Sequence, residues 1–192
     1  GDGEQEEVQV KDKNFRFLKN SNNLEDLTLT IGDLPNKDYM EGWAWSSYEG
    51  SGNFIDYIPY KLKKLNLSVN LNIKNQSTIQ DIINKICNRF LKLEELRLSF
   101  GIAVTDDCFD KQENEYKKKL IRQTLDVKKF SKLKNLKVLS VAPHGAENYI
   151  NYNTKNFQEI IKLKKIKDLN WDFASIDFQE LRKTRQLFKD EK

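Results

Sequence analysis

Cysteine and histidine are almost missing from this chain. Cys87, Cys108 and His144 are the only ones among 192 residues. Two cysteines exclude a disulfide framework, and with one histidine they cannot build an ordinary four-ligand zinc site. Long apolar runs are missing too. None approaches the roughly 18–20 residues needed to cross a bilayer, and the N-terminus has no secretory pattern. No membrane partner is expected, and the compartment expected is intracellular, cytoplasmic or nuclear. The chain begins at Gly1 and not at a methionine, as a processed chain, a tag remnant or an internal fragment would.

An excess of one charge is also lacking. The 33 basic and 29 acidic residues leave a net charge of +4, too small by itself to argue for nucleic acid. With 38% hydrophobic and 32% charged residues, the core is adequate and not rich. The length suits one sizeable or elongated domain.

Catalytic and cofactor signatures are absent. There is neither a G-x-G-x-x-G nor a G-x-x-x-x-G-K-[ST] pattern. The most glycine-rich piece, Glu49-Gly-Ser-Gly-Asn53, lacks the Lys-Ser/Thr and helix start of a phosphate cradle, and reads as a tight turn. Asp106-Asp107 has no further carboxylate at calcium-loop spacing and reads as a helix start. His144 has no nameable orienting partner, as a general base requires. Cys108 has no nearby histidine and reads as packing. Catalytic, cofactor-binding and metal-ligating residues are therefore expected to be none, and the chain is not expected to be an enzyme.

Periodicity is what the chain does have. Ser77–Phe100 shows it best. Ser77 and Gln80 stand at capping-box spacing. Ile79, Ile82, Ile83, Ile86, Cys87 and Phe90 then recur at steps of three and four, which predicts a helix with one apolar face and Cys87 as a buried free thiol. In Leu93-x-x-Leu96-x-Leu98-x-Phe100 the period drops to two, which predicts a strand with one buried side. Such a helix–strand unit cannot bury its own core and needs similar neighbours.

Those neighbours are present. Leu24-x-x-Leu27-x-Leu29 and Leu62-x-x-Leu65-x-Leu67 carry the same pattern. Leu136-x-x-Leu139-x-Val141 and Ile166-x-x-Leu169-x-Trp171 carry looser copies. On these five motifs the chain resembles the leucine-rich repeat family over Leu24–Phe173, as a divergent and irregular member. In that family the ninth motif position is an Asn that bonds the backbone of the turn. Here the ninth positions hold Gly32, Asn70, Gly101, His144 and Ala174, so only Asn70 matches. The motif starts are 38, 31, 43 and 30 residues apart, against roughly 20–29 in the family. The resemblance implies an α/β leucine-rich-repeat-like solenoid, with a parallel sheet lined by helices on the convex side. The alternative is a non-repeat α/β domain with a parallel sheet. Richness in Lys, Asn and Ile suggests an AT-rich coding genome of the kind found in many protists.

This reading divides the chain into three parts. Residues 1–23 form an acidic tail and possible capping strands at Val8–Val10 and Phe15–Phe17. Residues 24–176 form the array, with insertions at 35–60 and 103–132. Residues 177–192 form a C-terminal capping helix. Alternating aromatics around Gly50–Gly52 predict a β-hairpin in the first insertion. Phe109, Tyr116, Leu120, Ile121 and Leu125 give Asp106–Lys132 a helical stripe, and a further helix is expected over Thr154–Lys165.

The resemblance points to the residues between the motif leucines as a protein-binding row: Thr28, Thr30, Asn66, Ser68, Arg97, Ser99, Ser140, Asn170 and Asp172. Trp43, Trp45 and Tyr48 add a candidate aromatic patch, which could equally cap the core edge. The expected role is a non-catalytic protein-interaction or scaffold domain, a subunit of a larger assembly whose partner is another protein or complex. The alternative partner is RNA or DNA, held by the basic stretch 111–137 through Lys117, Lys118, Lys119, Arg122, Lys128, Lys129 and Lys132.

Overall fold

The structure is a computed structural model that describes residues 8–32, 46–72, 78–103, 124–143, 152–172 and 174–175. In chain order these form β1 (Val8–Val10), β2 (Asp26–Ile31), β3 (Ser46–Tyr48), β4 (Lys64–Asn72), helix α1 (Thr78–Arg89), β5 (Glu95–Ala103), β6 (Thr124–Asp126), β7 (Val138–Pro143), β8 (Tyr152–Lys155), β9 (Asp168–Trp171) and β10 (Ala174–Ser175). Among the described residues the fold is mixed α/β, with mostly parallel sheet, few helices and no closed barrel. A seven-stranded sheet runs β1-β3-β4-β5-β7-β9, with β2 also paired to β4. A second sheet runs β10-β8-β6. No helix among the described residues is long and apolar enough to cross a membrane.

Each motif supplies one strand of the larger sheet, and its apolar residues set the register. Leu27, Leu65, Leu96, Leu139 and Leu169 are successive partners across β2, β4, β5, β7 and β9. Leu29, Leu67, Leu98, Val141 and Trp171 form the next row. A slip of one residue would turn every one of these side chains to solvent. The entry to each strand repeats as well. The N–H of the first motif residue (Leu24, Leu62, Leu93, Leu136, Ile166) donates to the carbonyl three residues back (Ser21, Pro59, Phe90, Leu133, Leu163) at 3.0, 3.4, 3.1, 3.1 and 3.4 Å. The carbonyls of Glu25, Lys63, Glu94 and Lys137 each accept two N–H groups from the start of the next strand. The five motifs therefore share one backbone geometry, despite their unequal spacing.

Several expectations are corrected. Only α1 lines the sheet as an α-helix among the described residues. Elsewhere 3-10 turns and the second parallel sheet take that place. Thr154–Lys165 is not a helix: β8 ends at Lys155, Asn156 has a left-handed backbone (φ 65°), and a 3-10 turn spans Phe157–Lys162. The reason lies in the spacing. Phe157, Ile160, Leu163 and Ile166 recur strictly every third residue and are all buried. A three-residue turn keeps such residues on one face, whereas an α-helix rotates them away. Val127, Phe130, Leu133 and Leu136 repeat the pattern, so β6 and a 3-10 turn over Lys128–Lys132 replace the predicted helical stripe there. The rest of that stripe lies outside the described residues.

At the N-terminal end β1 forms as expected, but Phe15-Arg-Phe17 belongs to a 3-10 helix over Asp12–Asn20. The hairpin is also corrected. β3 pairs in parallel with β1 and β4, and Gly52 (φ 86°) opens a 3-10 turn over Asn53–Tyr57. β2 and β3 lie in tandem along the same edge of β4, with Ile31 opposite Val69 and Tyr48 opposite Leu71. Gly32 ends β2 with φ 82°, and a Cβ there would lie 3.0 Å from Asn70 Cβ and 3.0 Å from the Ser46 oxygen. Both the conformation and the space select glycine. The predicted C-terminal helix lies outside the described residues.

One apolar core holds these elements together. Ile79, Ile82, Ile83, Ile86 and Cys87 of α1 are buried, each large side chain contributing about 1.5–3 kcal/mol. At one end of the core Phe15 and Tyr48 pack on Phe54, at ring distances of 5.7 and 5.2 Å. At the other, Phe130 and Phe157 pack edge-on against Trp171, at 5.8 and 5.4 Å.

Candidate interaction surface

Strand alternation turns the motif leucines toward the core, with those of the first motif half-buried, and turns the residues between them outward. The register brings Thr28, Asn66, Arg97, Ser140 and Asn170 into one row across five strands. Thr30, Ser68 and Ser99 form a second row. Asp172 follows β9 directly, its N–H donating to the Val141 oxygen at 2.8 Å. All nine predicted strand-face residues are exposed or half-buried, so the structure gathers them on one surface. Along it, Asn170 Nδ2 donates to Ser140 Oγ at 3.3 Å, and Arg97 Nη1 to Glu95 Oε2 at 2.9 Å.

A charge ladder borders this face at the strand starts. Glu25, Lys63, Glu94, Lys137 and Lys167 occupy the second position of successive motifs. Lys63 Nζ lies 3.6 Å from Glu25 Oε1, and Lys137 Nζ lies 2.9 Å from Glu94 Oε1. The Lys137 hydrogen bond and charge, with Lys63 and Lys64 nearby, hold the Glu94 carboxyl below its usual range. The same bond holds Lys137 above its own. These exposed pairs contribute little to stability.

The aromatic patch is not confirmed as a binding surface. Tyr48 is fully buried, because its hydroxyl donates to Asp12 Oδ1 and accepts from the Gly52 N–H at 2.8 Å. Asp12 Oδ1 also accepts the Phe54 N–H at 2.9 Å. Burial first, then the Asp12 carboxylate, push the Tyr48 hydroxyl far above its usual pKa. Tyr48 thus closes the N-terminal end of the core and is out of a partner's reach. Trp43 and Trp45 lie outside the described residues.

The basic candidates divide in the same way. Lys117, Lys118, Lys119 and Arg122 lie outside the described residues, as do His144 and Cys108. Lys128, Lys129 and Lys132 sit on the 3-10 turn behind the sheet, where Lys132 Nζ donates to Asn88 Oδ1 at 2.7 Å. Cys87 lies beneath them, fully buried. Burial pushes its thiol up to about 12, against a downward pull from Lys129 and Lys132. An unreactive packing thiol results. Among the described residues no three His, Cys, Asp or Glu side chains stand where they could hold a metal ion.

Two polar clusters gave no signal in the sequence: Asp12 with Tyr48, and Gln80 with Asp126. Their members lie 36 and 46 residues apart, and no local period links them. Neither family models, curated proteins nor solved structures give a match to this chain.

Proposed function

We propose that this chain is a divergent leucine-rich-repeat-like solenoid that works as a non-catalytic protein-interaction scaffold within a larger assembly. The observation that carries the reading is the in-register stacking of five motif strands. It lines up Thr28, Asn66, Arg97, Ser140 and Asn170 as one shallow polar row. A row of small, nearly neutral side chains suits protein contact better than phosphate, which calls for clustered cations. Asn70 adds support. It is the only ninth-position Asn, it is fully buried, and its Nδ2 donates to the Ser46 backbone oxygen at 3.2 Å. Like the family's Asn it bonds a backbone group, here that of the first residue of β3.

The test is an affinity pull-down from the source cell, comparing the unaltered chain with an Asn66→Arg, Ser140→Arg double variant, with and without nuclease. The reading expects a partner set that survives nuclease and is lost with the double variant. A partner set unaffected by the variant sinks the strand face as the contact surface.

One observation favours a second reading, an accessory subunit that binds RNA or DNA. The shared turn geometry places Lys134 beside Lys164 and Lys137 beside Lys167 in neighbouring motifs, which extends the basic stretch around Lys128, Lys129 and Lys132. Retention on RNA that falls steeply with added salt, together with partners lost to nuclease, would favour it over the scaffold.

A further inference from the structure

We propose that the turn tips at the N-terminal end of the array form a second docking site, which takes an acidic peptide segment carrying a large apolar side chain. The site rests on the protein-interaction reading but lies away from the strand face.

Among the described residues, the large apolar side chains left exposed are Phe17, Tyr60 and Leu91, at 62, 57 and 52%. Two of them, Tyr60 and Leu91, stand in equivalent places. Tyr60 and Leu91 each stand two residues before a motif leucine. Because every motif enters through the same hydrogen-bonded turn, they occupy the same place on adjacent turns and form one row. Phe17 is two residues from Lys19 and Leu91 two from Arg89. Both cations line a cleft of about 300 Å³, with Tyr57, Tyr60 and Lys61. The exposed pair of Tyr60 and Leu91 beside this cleft marks an interaction site more surely than a single exposed residue does.

The charge at this cleft is one-sided. Lys19 Nζ lies 4.8 Å from the Tyr57 ring centre, and Lys61 Nζ lies 5.9 Å from that of Tyr60. Arg89 is held in place by its Nε, which donates to the Ile58 oxygen at 2.8 Å. The one acid lining the cleft among the described residues, Asp56, has Lys85 Nζ at 3.7 Å. Three cations therefore face a neutralised acid around two tyrosine rings. Lys92 stands beside Lys61 on the next turn, in the same register. An apolar centre with a cationic rim complements carboxylates that flank an aromatic or aliphatic side chain.

The apolar tips belong to the second and third motifs, since the first holds Asn22 at this position. At the equivalent tips further along, Tyr60 and Leu91 give way to Lys134 and Lys164. Those tips repel no acid, but they offer nothing for an apolar side chain to bury against. Leu91 likewise favours a peptide over a nucleic acid: its aliphatic side chain gives a base no ring to stack on, and phosphates call for a longer track of cations.

The test uses the full chain and fluorescence polarisation, with a short labelled peptide in which glutamates flank a central phenylalanine. Two controls accompany it: the same peptide with serine for phenylalanine, and a labelled oligouridine. Variants are Tyr60→Ser with Leu91→Ser, Lys19→Glu with Lys61→Glu, and Lys134→Glu with Lys164→Glu. Circular dichroism checks that each one folds. We expect binding of the phenylalanine peptide, an affinity loss of about tenfold or more in each of the first two double variants, and little change in the third. Four results would overturn the proposal: no binding, equal binding of the serine peptide, tighter binding of the oligouridine, or equal loss in all three double variants. The strand-face variant Asn66→Arg, Ser140→Arg is expected to bind the peptide normally, so this site and the strand face can fail independently.

Discussion

The side-chain amide of Gln80 hydrogen-bonds both backbone polar groups of Asp126. Its Nε2 donates to the Asp126 oxygen at 2.9 Å, and its Oε1 accepts the Asp126 N–H at 2.8 Å. Asp126 ends β6, the edge strand of the smaller sheet, whose strand partner is β8. On its other side stands α1, which carries Gln80. Gln80, in the first turn of α1, presents an amide to that edge in place of a peptide unit. It thereby satisfies two backbone groups that a helix neighbour would otherwise leave open.

Gln80→Ala removes both bonds and leaves the Asp126 N–H and carbonyl part-buried. We expect a loss of about 1–3 kcal/mol, read as a lower midpoint in urea unfolding. An unchanged midpoint would mean that water replaces the amide freely and that the edge is not closed by Gln80.

Asn156 holds the same corner from the other side. Its Nδ2 donates to Asp126 Oδ1 at 3.0 Å, from a left-handed backbone with φ 65°. Replacement by Ala loses the bond and retains the strain. Replacement by Gly loses the bond but relieves the strain. Asn156→Gly is therefore expected to be the more stable of the two in thermal unfolding, with both below the unaltered chain. The reverse order would remove backbone conformation from the explanation.

The Asp126 carboxyl predicts an acid limb. Burial pushes its pKa up, but the Asn156 bond, the Lys128 N–H at 3.0 Å and the charges of Lys155 and Lys128 outweigh burial and leave it lowered. A lowered folded-state pKa gives stability that is present above the unfolded value and lost as pH falls through the folded one. Stability should decline below about pH 4, and Asp126→Ala should flatten that part of the profile in urea unfolding measured across pH. A variant profile parallel to the original would contradict the assignment.

Tyr48 predicts an alkaline limb of the opposite sign. Burial and the Asp12 carboxylate raise its hydroxyl pKa. The un-ionised phenol therefore stabilises the fold below the unfolded pKa, and that stability falls as pH rises past about 10. Tyr48→Phe removes the limb and also strips one bond from part-buried Asp12, at about 1–3 kcal/mol at neutral pH. Circular dichroism along an alkaline titration checks both parts.

Cys87 is expected to resist thiol reagents until the chain unfolds, since its thiol is fully buried and its pKa is pushed up to about 12. In a Cys108→Ser background, labelling by a disulfide reagent should follow the unfolding curve. Rapid labelling of the folded chain would place Cys87 at the surface and contradict the packing around α1.

The leucines of the five motifs were legible from the chain alone, and with them the strands, the buried side of each and the row of outward residues from Thr28 to Asn170. A period of two writes one buried face directly into the sequence. The apolar face of α1 was equally plain, because steps of three and four fit only a helix. What misled was the set Phe157, Ile160 and Ile161, although the buried set is the strict step of three through Phe157, Ile160 and Leu163. The first set resembles a helical stripe until the second sheet leaves room only for a short 3-10 turn. Tyr48 stayed open between a surface aromatic and a cap on the core edge because nothing local shows that Asp12 waits for its hydroxyl. Gln80 looked like a helix cap because nothing local places Asp126 beside it. Periodicity specifies which side of an element must leave water. Which polar group meets which is decided only when distant turns stack, because that pairing depends on positions in space that no neighbour in the sequence encodes.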